Sequence, residues 1–455
     1  MSRNRRRRLR PGRRVPAAAA ALLALACGAA DEAPSRWVVL GRGSEPAVDP
    51  GNRITGASRL FVVDAARPGA PPRPIAEGLA AAGSPAVAWD GRLLFTGRAA
   101  EGDPLGLWSV ELPAGAPEPL PAGERECGSA DLLPDGRIVF SARVAGPPPA
   151  PELASRWALF VLEPETGEVR RITYGLSEID PTVLQDGRIL YAQWQPPGDD
   201  RNGEGAFALF AVHPDGTGVT AVHGFHDGPA WKLRPWQLAN GDLAFLAADE
   251  SGGSRWRRVD RRSPSETAVD LALPAGLEAT ALGRGSGESI LAVGAEGLYR
   301  LVDGTAELLV PGVEAEVVAA ASPRPRPQGH LSMVDPELGS GQIFGVDARP
   351  PGRAGAAALR VRSLSGPAWR PEVLGTVDLA ADGSFFVEVP ANLPLLLDVL
   401  DAEGRPIEAS ATPLWVRPKE KRGCVGCHED PHLAPPNRRP LAVLDPPVDL
   451  TGGGA

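Results

Sequence analysis

Short apolar runs, each entered through a polar turn, recur along the chain from residue 37 to 318. Trp89-Asp90-Gly91-Arg92 leads into Leu93-Leu94-Phe95, and Pro134-Asp135-Gly136-Arg137 into Ile138-Val139-Phe140. Gln185-Asp186-Gly187-Arg188 leads into Ile189-Leu190-Tyr191, and Ala239-Asn240-Gly241-Asp242 into Leu243-Ala244-Phe245. Asp-Gly and Asn-Gly supply the positive φ angles of a tight hairpin turn, and the run after each predicts a buried strand. A second element pairs Leu with an aromatic residue: Leu60-Phe61, Leu107-Trp108, Leu159-Phe160, Leu209-Phe210 and Leu298-Tyr299, with Trp256 in a weaker copy. Successive copies lie 47, 52, 50, 47 and 42 residues apart. A period of about 40–50 residues with four strands per unit predicts a β-propeller, and the copies predict six blades, plus or minus one.

The turn-and-strand repeat resembles the TolB-like and WD40-like propeller families, a resemblance that implies architecture and no particular function. Pro323-Arg324-Pro325-Arg326-Pro327 predicts a stiff, extended linker over 319–339. Beyond it, Gly341 to Val346, Val373 to Val377, Ser384 to Val389 and Leu395 to Leu400 are separated by Asp382-Gly383 and Pro390-Ala391-Asn392 turns. Alternating strands of this length predict a small β-sandwich-like domain over 340–417. The stretch 418–455 is polar and Pro-rich, and is expected to form a tail that packs on the other domains or on a cofactor. The fold class is thus all-β.

The N-terminus predicts export. Eight arginines between Arg3 and Arg14 precede an Ala/Leu segment, Val15 to Ala26, of signal-peptide length. Ala24-Leu25-Ala26-Cys27-Gly28 resembles a bacterial lipobox, with Ala24 where Leu is usual, so residues 1–27 are expected to be a lipoprotein-type signal with Cys27 diacylated. The alternatives are a secreted protein cut nearby and an uncleaved anchor. Losing the eight arginines leaves 39 basic against 56 acidic residues, a formal charge of −17 in place of −9. Such an acidic surface repels phosphate backbones and argues against nucleic acid as a partner. The expected location is extracytoplasmic, periplasm or cell surface, with membrane contact through the lipid.

Cysteine usage carries the candidate chemistry. Of four cysteines, Cys27 is assigned to lipid and Cys127 to a buried, inert position. The other two form Cys424-Val425-Gly426-Cys427-His428, a C-x-x-C-H signal for one covalent c-type haem. Two thiols one helical turn apart reach the two vinyl groups of the porphyrin, and His428 presents its imidazole to the iron as proximal ligand. A zinc site would need two ligands beyond the cysteine pair, and no second C-x-x-C exists. A thioredoxin-like pair would need a βαβ surround, and a plain disulfide leaves His428 without a role.

Second ligands are less constrained. Met333 is the sole internal methionine and lies close to His330 in the linker, so both are candidates for the distal position. His432, four residues after His428, is a third candidate, either replacing His428 on iron or holding another metal. His213, His223 and His226 fall in propeller loops, where solvated histidines are the ordinary reading. Most of the ten tryptophans lie in the repeats and suit core packing, whereas Trp415 enters the haem segment and could stack on the macrocycle. Acidic residues form no glycosidase or protease pattern, and there is no Gly-rich phosphate loop.

The order of propeller, β region and Arg422-Gly423-Cys424-Val425-Gly426-Cys427-His428-Glu429 resembles the proteins related to the hydrazine synthase alpha subunit. Ser340-Gly341-Gln342-Ile343 and Ala381-Asp382-Gly383-Ser384-Phe385-Phe386-Val387-Glu388-Val389-Pro390-Ala391-Asn392 are similar to that family's middle domain. The resemblance implies a haem held between a propeller and a β domain. One C-x-x-C-H stands here where the synthase subunit has more than one, and the chain ends soon after it. Shared architecture is therefore implied more than hydrazine synthesis. Three functions are open: a redox module passing electrons to an unidentified partner, a haem enzyme acting on a small nitrogen or oxygen compound, and a surface-anchored binding or sensory propeller.

Overall fold

The computed structural model describes residues 36–452, apart from 45–49, 152, 198–202, 226–229, 249–252, 265–267, 351, 353, 366–367 and 427–438. Cys27, Cys427, His428, His432 and His226 lie outside the described residues.

Between Trp37 and Ala320 the described residues form six four-stranded antiparallel sheets in chain order. The first combines Trp37–Ser44, Ile54–Asp64 and Arg73–Pro74 with Val317–Ala320, which returns from the end of the repeats to set Val318 opposite Leu40. The inner strands of the other five are Ala81–Val87, Cys127–Leu132, Glu178–Val183, Trp231–Gln237 and Ala279–Arg284. The inner strands of the first five sheets touch in succession, and the returning strand lies against both Ala279–Arg284 and Ala81–Val87. The fifth and sixth sheets are joined where Arg284 Nη2 donates to the Gln237 carbonyl at 2.9 Å. A ring closed in this way is a β-propeller, and closure leaves only short strand edges open to water.

The recurrent Asp-Gly-Arg turns owe their shape to local chemistry. Only the glycines hold positive φ: 91° at Gly91, 94° at Gly136 and 87° at Gly187. The turns are therefore three-residue loops closed by a left-handed Gly, not the two-residue type with both central residues at positive φ. The Asp carboxylate accepts the Arg amide two residues on, and the Arg guanidinium returns to the same carboxylate, as in Asp186 and Arg188 at 2.7 Å. Between these turns the strands bury nearly every apolar side chain. Trp157 and Trp194 are fully buried, and Trp194 meets Phe207 and Trp231 edge-on at 5.3 and 5.7 Å.

The linker is bound along its length to the face that carries these turns. The Arg324 amide donates to Trp89 O, Arg326 Nε to Pro134 O, and the Gln328 amide to Gln185 O. Arg324 also bridges to buried Asp131 at 3.2 Å. The linker is thus a strap across the second, third and fourth sheets.

Two further four-stranded sheets pack face to face beyond it. One runs in the order Lys421–Gly426, Ser340–Asp347, Phe385–Pro390, Val448–Asp449; the other runs Arg370–Asp378, Ala358–Ser365, Leu395–Leu400, Pro406–Ala409. Ile343, Leu359, Val361, Phe385, Val387 and Val399 fill the space between them. The stretch after Pro418, expected as a tail packed on the other domains or on a cofactor, supplies two of these strands, and both pair parallel with their neighbours. Among the described residues no helix is long and apolar enough to cross a membrane.

Candidate functional site

Cys424 sits in the strand Lys421–Gly426, beside Gly345 of the strand Ser340–Asp347. Its thiol is free and half-buried, and it packs against the sandwich core. The backbone from Lys421 to Gly426 is extended, so the first three residues of the C-x-x-C-H motif do not form the helical turn expected from its spacing. On the other side of the strand, Phe344 lies against Gly423 and meets Phe386 edge-on at 6.3 Å, while Val425 is exposed. The thiol is unbonded and half-buried, which leaves Cys424 available for covalent attachment of a haem, while the partly open Phe344, Phe386 and Val425 lie on the opposite face of the strand.

The segment leading to this strand docks on the propeller. Trp415 is buried among Val161, Ile172 and Val219 of the third and fourth sheets, and its Nε1 donates to Gly216 O at 3.0 Å. That burial occupies the indole with protein contacts, correcting its expected role against the macrocycle. Arg417 Nη1 reaches Tyr174 Oη and Asn392 Oδ1, Glu420 accepts the Gly218 amide, and Arg422 Nη2 donates to Val219 O at 2.7 Å. The strand bearing Cys424 is therefore fixed to the outer edge of the fourth sheet two residues before the thiol.

His330 and Met333 occupy different surroundings. His330 Nε2 bonds Asp215 Oδ2 at 3.0 Å, and its ring stacks on His213 with centroids 4.3 Å apart. Asp215 also accepts Thr217 Oγ1 and Ser332 Oγ. Burial pushes its pKa upward, but hydrogen bonds from Thr217, His330 and Ser332 outweigh this and hold it below the usual carboxylate range. His213 is lowered from its ordinary value by burial and by its neighbour His330. Met333 is 70% exposed. Among the described residues no group of three His, Cys, Asp or Glu side chains could hold a metal ion. His223, expected in a solvated loop, is buried at the end of Thr220–His223 with Nδ1 2.7 Å from Pro264 O. Cys127 is buried as expected, and burial pushes its thiol up to about 12, which leaves it unreactive.

Sequence reading passed over Glu178, which has no motif around it. Its carboxyl is fully buried at the start of the fourth inner strand, and burial pushes its pKa up to about 7 against the pull of Arg171 and Arg156. The folded protein consequently holds this proton more tightly than the unfolded chain. The stabilisation is complete below pH 4.5, its ordinary value, and is lost as pH rises to about 7. A shift of that size corresponds to at most roughly 3 kcal/mol. Glu178→Gln should flatten the decline in urea-unfolding free energy across this window; an unchanged pH profile in the variant would contradict the assignment.

Residues 345–429 match the family described as hydrazine synthase alpha subunit middle domain. The structure superposes on Kuenenia stuttgartiensis hydrazine synthase with a TM-score of 0.78 at 16% identity, covering 90% of this chain and 72% of that one. Residues 345–429 thus carry the pattern of the hydrazine synthase alpha subunit middle domain. The likeness to the synthase extends across both propeller and middle domain, and at this identity it is a likeness of fold. TolB from Acinetobacter baumannii matches at 15% identity over 59% of this chain and 62% of that one, with a TM-score of 0.40. A TolB-like protein from Agrobacterium tumefaciens matches at 14% identity over 52% of this chain and 88% of that one, with a TM-score of 0.35. No curated protein matches the sequence.

Proposed function

We propose that this chain is an exported c-type haem protein in which a six-bladed propeller and a β-sandwich together position one covalent haem. The observation that carries the reading is the free thiol of Cys424, placed in an edge strand of the hydrazine synthase-like middle domain at the start of C-x-x-C-H. Cys424 and Cys427 would form the thioethers and His428 would face the iron. When bound, the haem supplies one-electron redox chemistry. The protein's part is to anchor the attachment strand to the propeller through Trp415 and Arg422, which limits reorientation of the group.

The function proposed for this assembly is electron transfer, with the lipid on Cys27 holding the acidic mature chain at an extracytoplasmic membrane surface. The likeness to hydrazine synthase favours a second reading, a haem enzyme acting on a small nitrogen compound. The two differ at the sixth iron position. His330 has its Nε2 engaged by Asp215, so Met333 is the freer of the two linker candidates. Visible spectra of the reduced protein with and without carbon monoxide separate the readings. Electron transfer predicts low-spin iron that binds carbon monoxide slowly, and Met333→Ala should convert it to a high-spin, rapidly binding form. Rapid binding by the unmodified protein would transfer support to the enzyme.

A further inference from the structure

The chain enters the propeller through the first sheet at Trp37, and the surface around that point is basic in an otherwise acidic protein. Trp37 carries two guanidinium groups over its ring, with the Cζ atoms of Arg36 and Arg73 each 4.9 Å from the centroid. Arg36 Nη2 also meets Asp64 at 2.8 Å, and the Arg67 amide donates to Asp64 O in the turn that follows. Asp64 is buried, whereas Arg36, Arg67 and Arg73 are exposed. Glu77 is carried away from this corner, since Ile75, two residues before it, already donates its amide to Leu60 O.

The strap continues this surface. The Ala321 amide donates to Trp37 O at 2.9 Å and the Arg324 amide to Trp89 O at 2.8 Å. Arg326 is exposed with its guanidinium 5.4 Å from the Trp89 ring, and Arg92 pairs with Asp90 at 2.7 Å while remaining 42% exposed. Asp131, which meets Arg324, is buried, and Asp135 is matched by Arg137 at 2.7 Å. The acids of this corner are thus buried or paired, and its guanidinium groups meet solvent. At the corresponding outer turns of the second and third sheets stand exposed Glu111, Glu118, Glu165 and Glu168, so the basic surface ends there.

We infer that this corner, with Arg36, Arg67, Arg73 and Arg326 around Trp37 and Trp89, docks on an anionic phospholipid surface. The inference rests on the reading of Cys27 as an acylated N-terminus. The chain from Cys27 to Arg36 spans about 30 Å at most, so the acyl chains and this corner meet one stretch of membrane. Asp31 and Glu32 lie in that span; with them and the three aspartates Asp64, Asp90 and Asp131 counted, the six arginines 36, 67, 73, 92, 324 and 326 are still in excess. Tryptophan and arginine suit the headgroup layer, because each joins an apolar body to a polar tip. The acidic remainder of the mature chain is repelled by anionic lipid, so attraction and repulsion turn the same corner toward the membrane.

The test uses the mature chain carrying Cys27→Ser, which cannot be acylated, and follows its partition onto phosphatidylcholine vesicles with and without phosphatidylglycerol. At about 0.1 M salt, charges more than about 10 Å from the contact are screened and the corner acts alone. Binding is expected only on vesicles that contain phosphatidylglycerol, and should vanish at about 1 M salt, where the screening length is about 3 Å. Arg67→Gln with Arg73→Gln should weaken it about 30-fold, the equivalent of about 1 kcal/mol per arginine. Arg255→Gln with Arg405→Gln removes two arginines whose side chains are 70% and 72% exposed elsewhere on the protein, and should leave binding unchanged. Equal binding to both kinds of vesicle, no binding to either, or equal loss in the two double variants would overturn the inference. Mass spectrometry of the exported N-terminus decides the acylation separately: an unacylated native chain that still binds through Arg67 and Arg73 refutes the anchor and keeps the docking surface.

Discussion

Trp415→Ala should destabilise the protein by about 3–5 kcal/mol, the cost of removing a fully buried aromatic side chain. The indole is 1% exposed and fills a space bounded by residues of two propeller sheets, with Tyr174 at 6.4 Å and a hydrogen bond to Gly216 O. Its loss leaves both a cavity and an unmatched carbonyl at the point where the middle domain is held. Chemical unfolding should therefore show the middle domain separating from the propeller before the propeller itself unfolds. Trp415→Phe keeps most of the apolar contact and should cost less, chiefly the hydrogen bond, about 1 kcal/mol. A cost below about 1 kcal/mol for Trp415→Ala would show that the docking depends on the surrounding polar contacts instead.

The second large effect is chemical. Cys424→Ser combined with Cys427→Ser should abolish haem that survives denaturing electrophoresis, while leaving the fold in place. Cys424 is half-buried at a sheet edge and makes no disulfide, so replacing its sulfur with oxygen removes little packing. Equal staining of the variant and the unmodified protein would mean that haem, if present, is attached elsewhere. Unfolding of the variant would instead give Cys424 a structural role that its surroundings do not suggest.

What could be read from the sequence was mostly local. The Asp-Gly-Arg turns were legible because one side chain, one amide and one glycine within three residues determine them. The four-strand period followed from their spacing. The pairing of Lys421–Gly426 with Ser340–Asp347 was not legible, because the strand KRGCVG has almost no apolar alternation and its partner lies some 80 residues earlier. The segment was read as a stiff, extended linker, and its docking on the propeller was not legible for a related reason. Its proline pattern reports stiffness, whereas its position depends on carbonyls of Trp89, Pro134 and Gln185 in three separate repeats. His330 meeting His213, and Glu178 meeting Arg156 and Arg171, depend on ring closure and on the order of the sheets. No spacing rule reports such contacts. Trp415 could stack on the macrocycle by its nearness to the motif, whereas its burial and hydrogen bond belong to the propeller.

The most direct measurement is the mass of the peptide spanning Cys424 to His428 from protein recovered after export. The account predicts one haem bound covalently through both cysteines. Free thiols, a disulfide, or stoichiometric zinc in a correctly exported, colourless protein would contradict it.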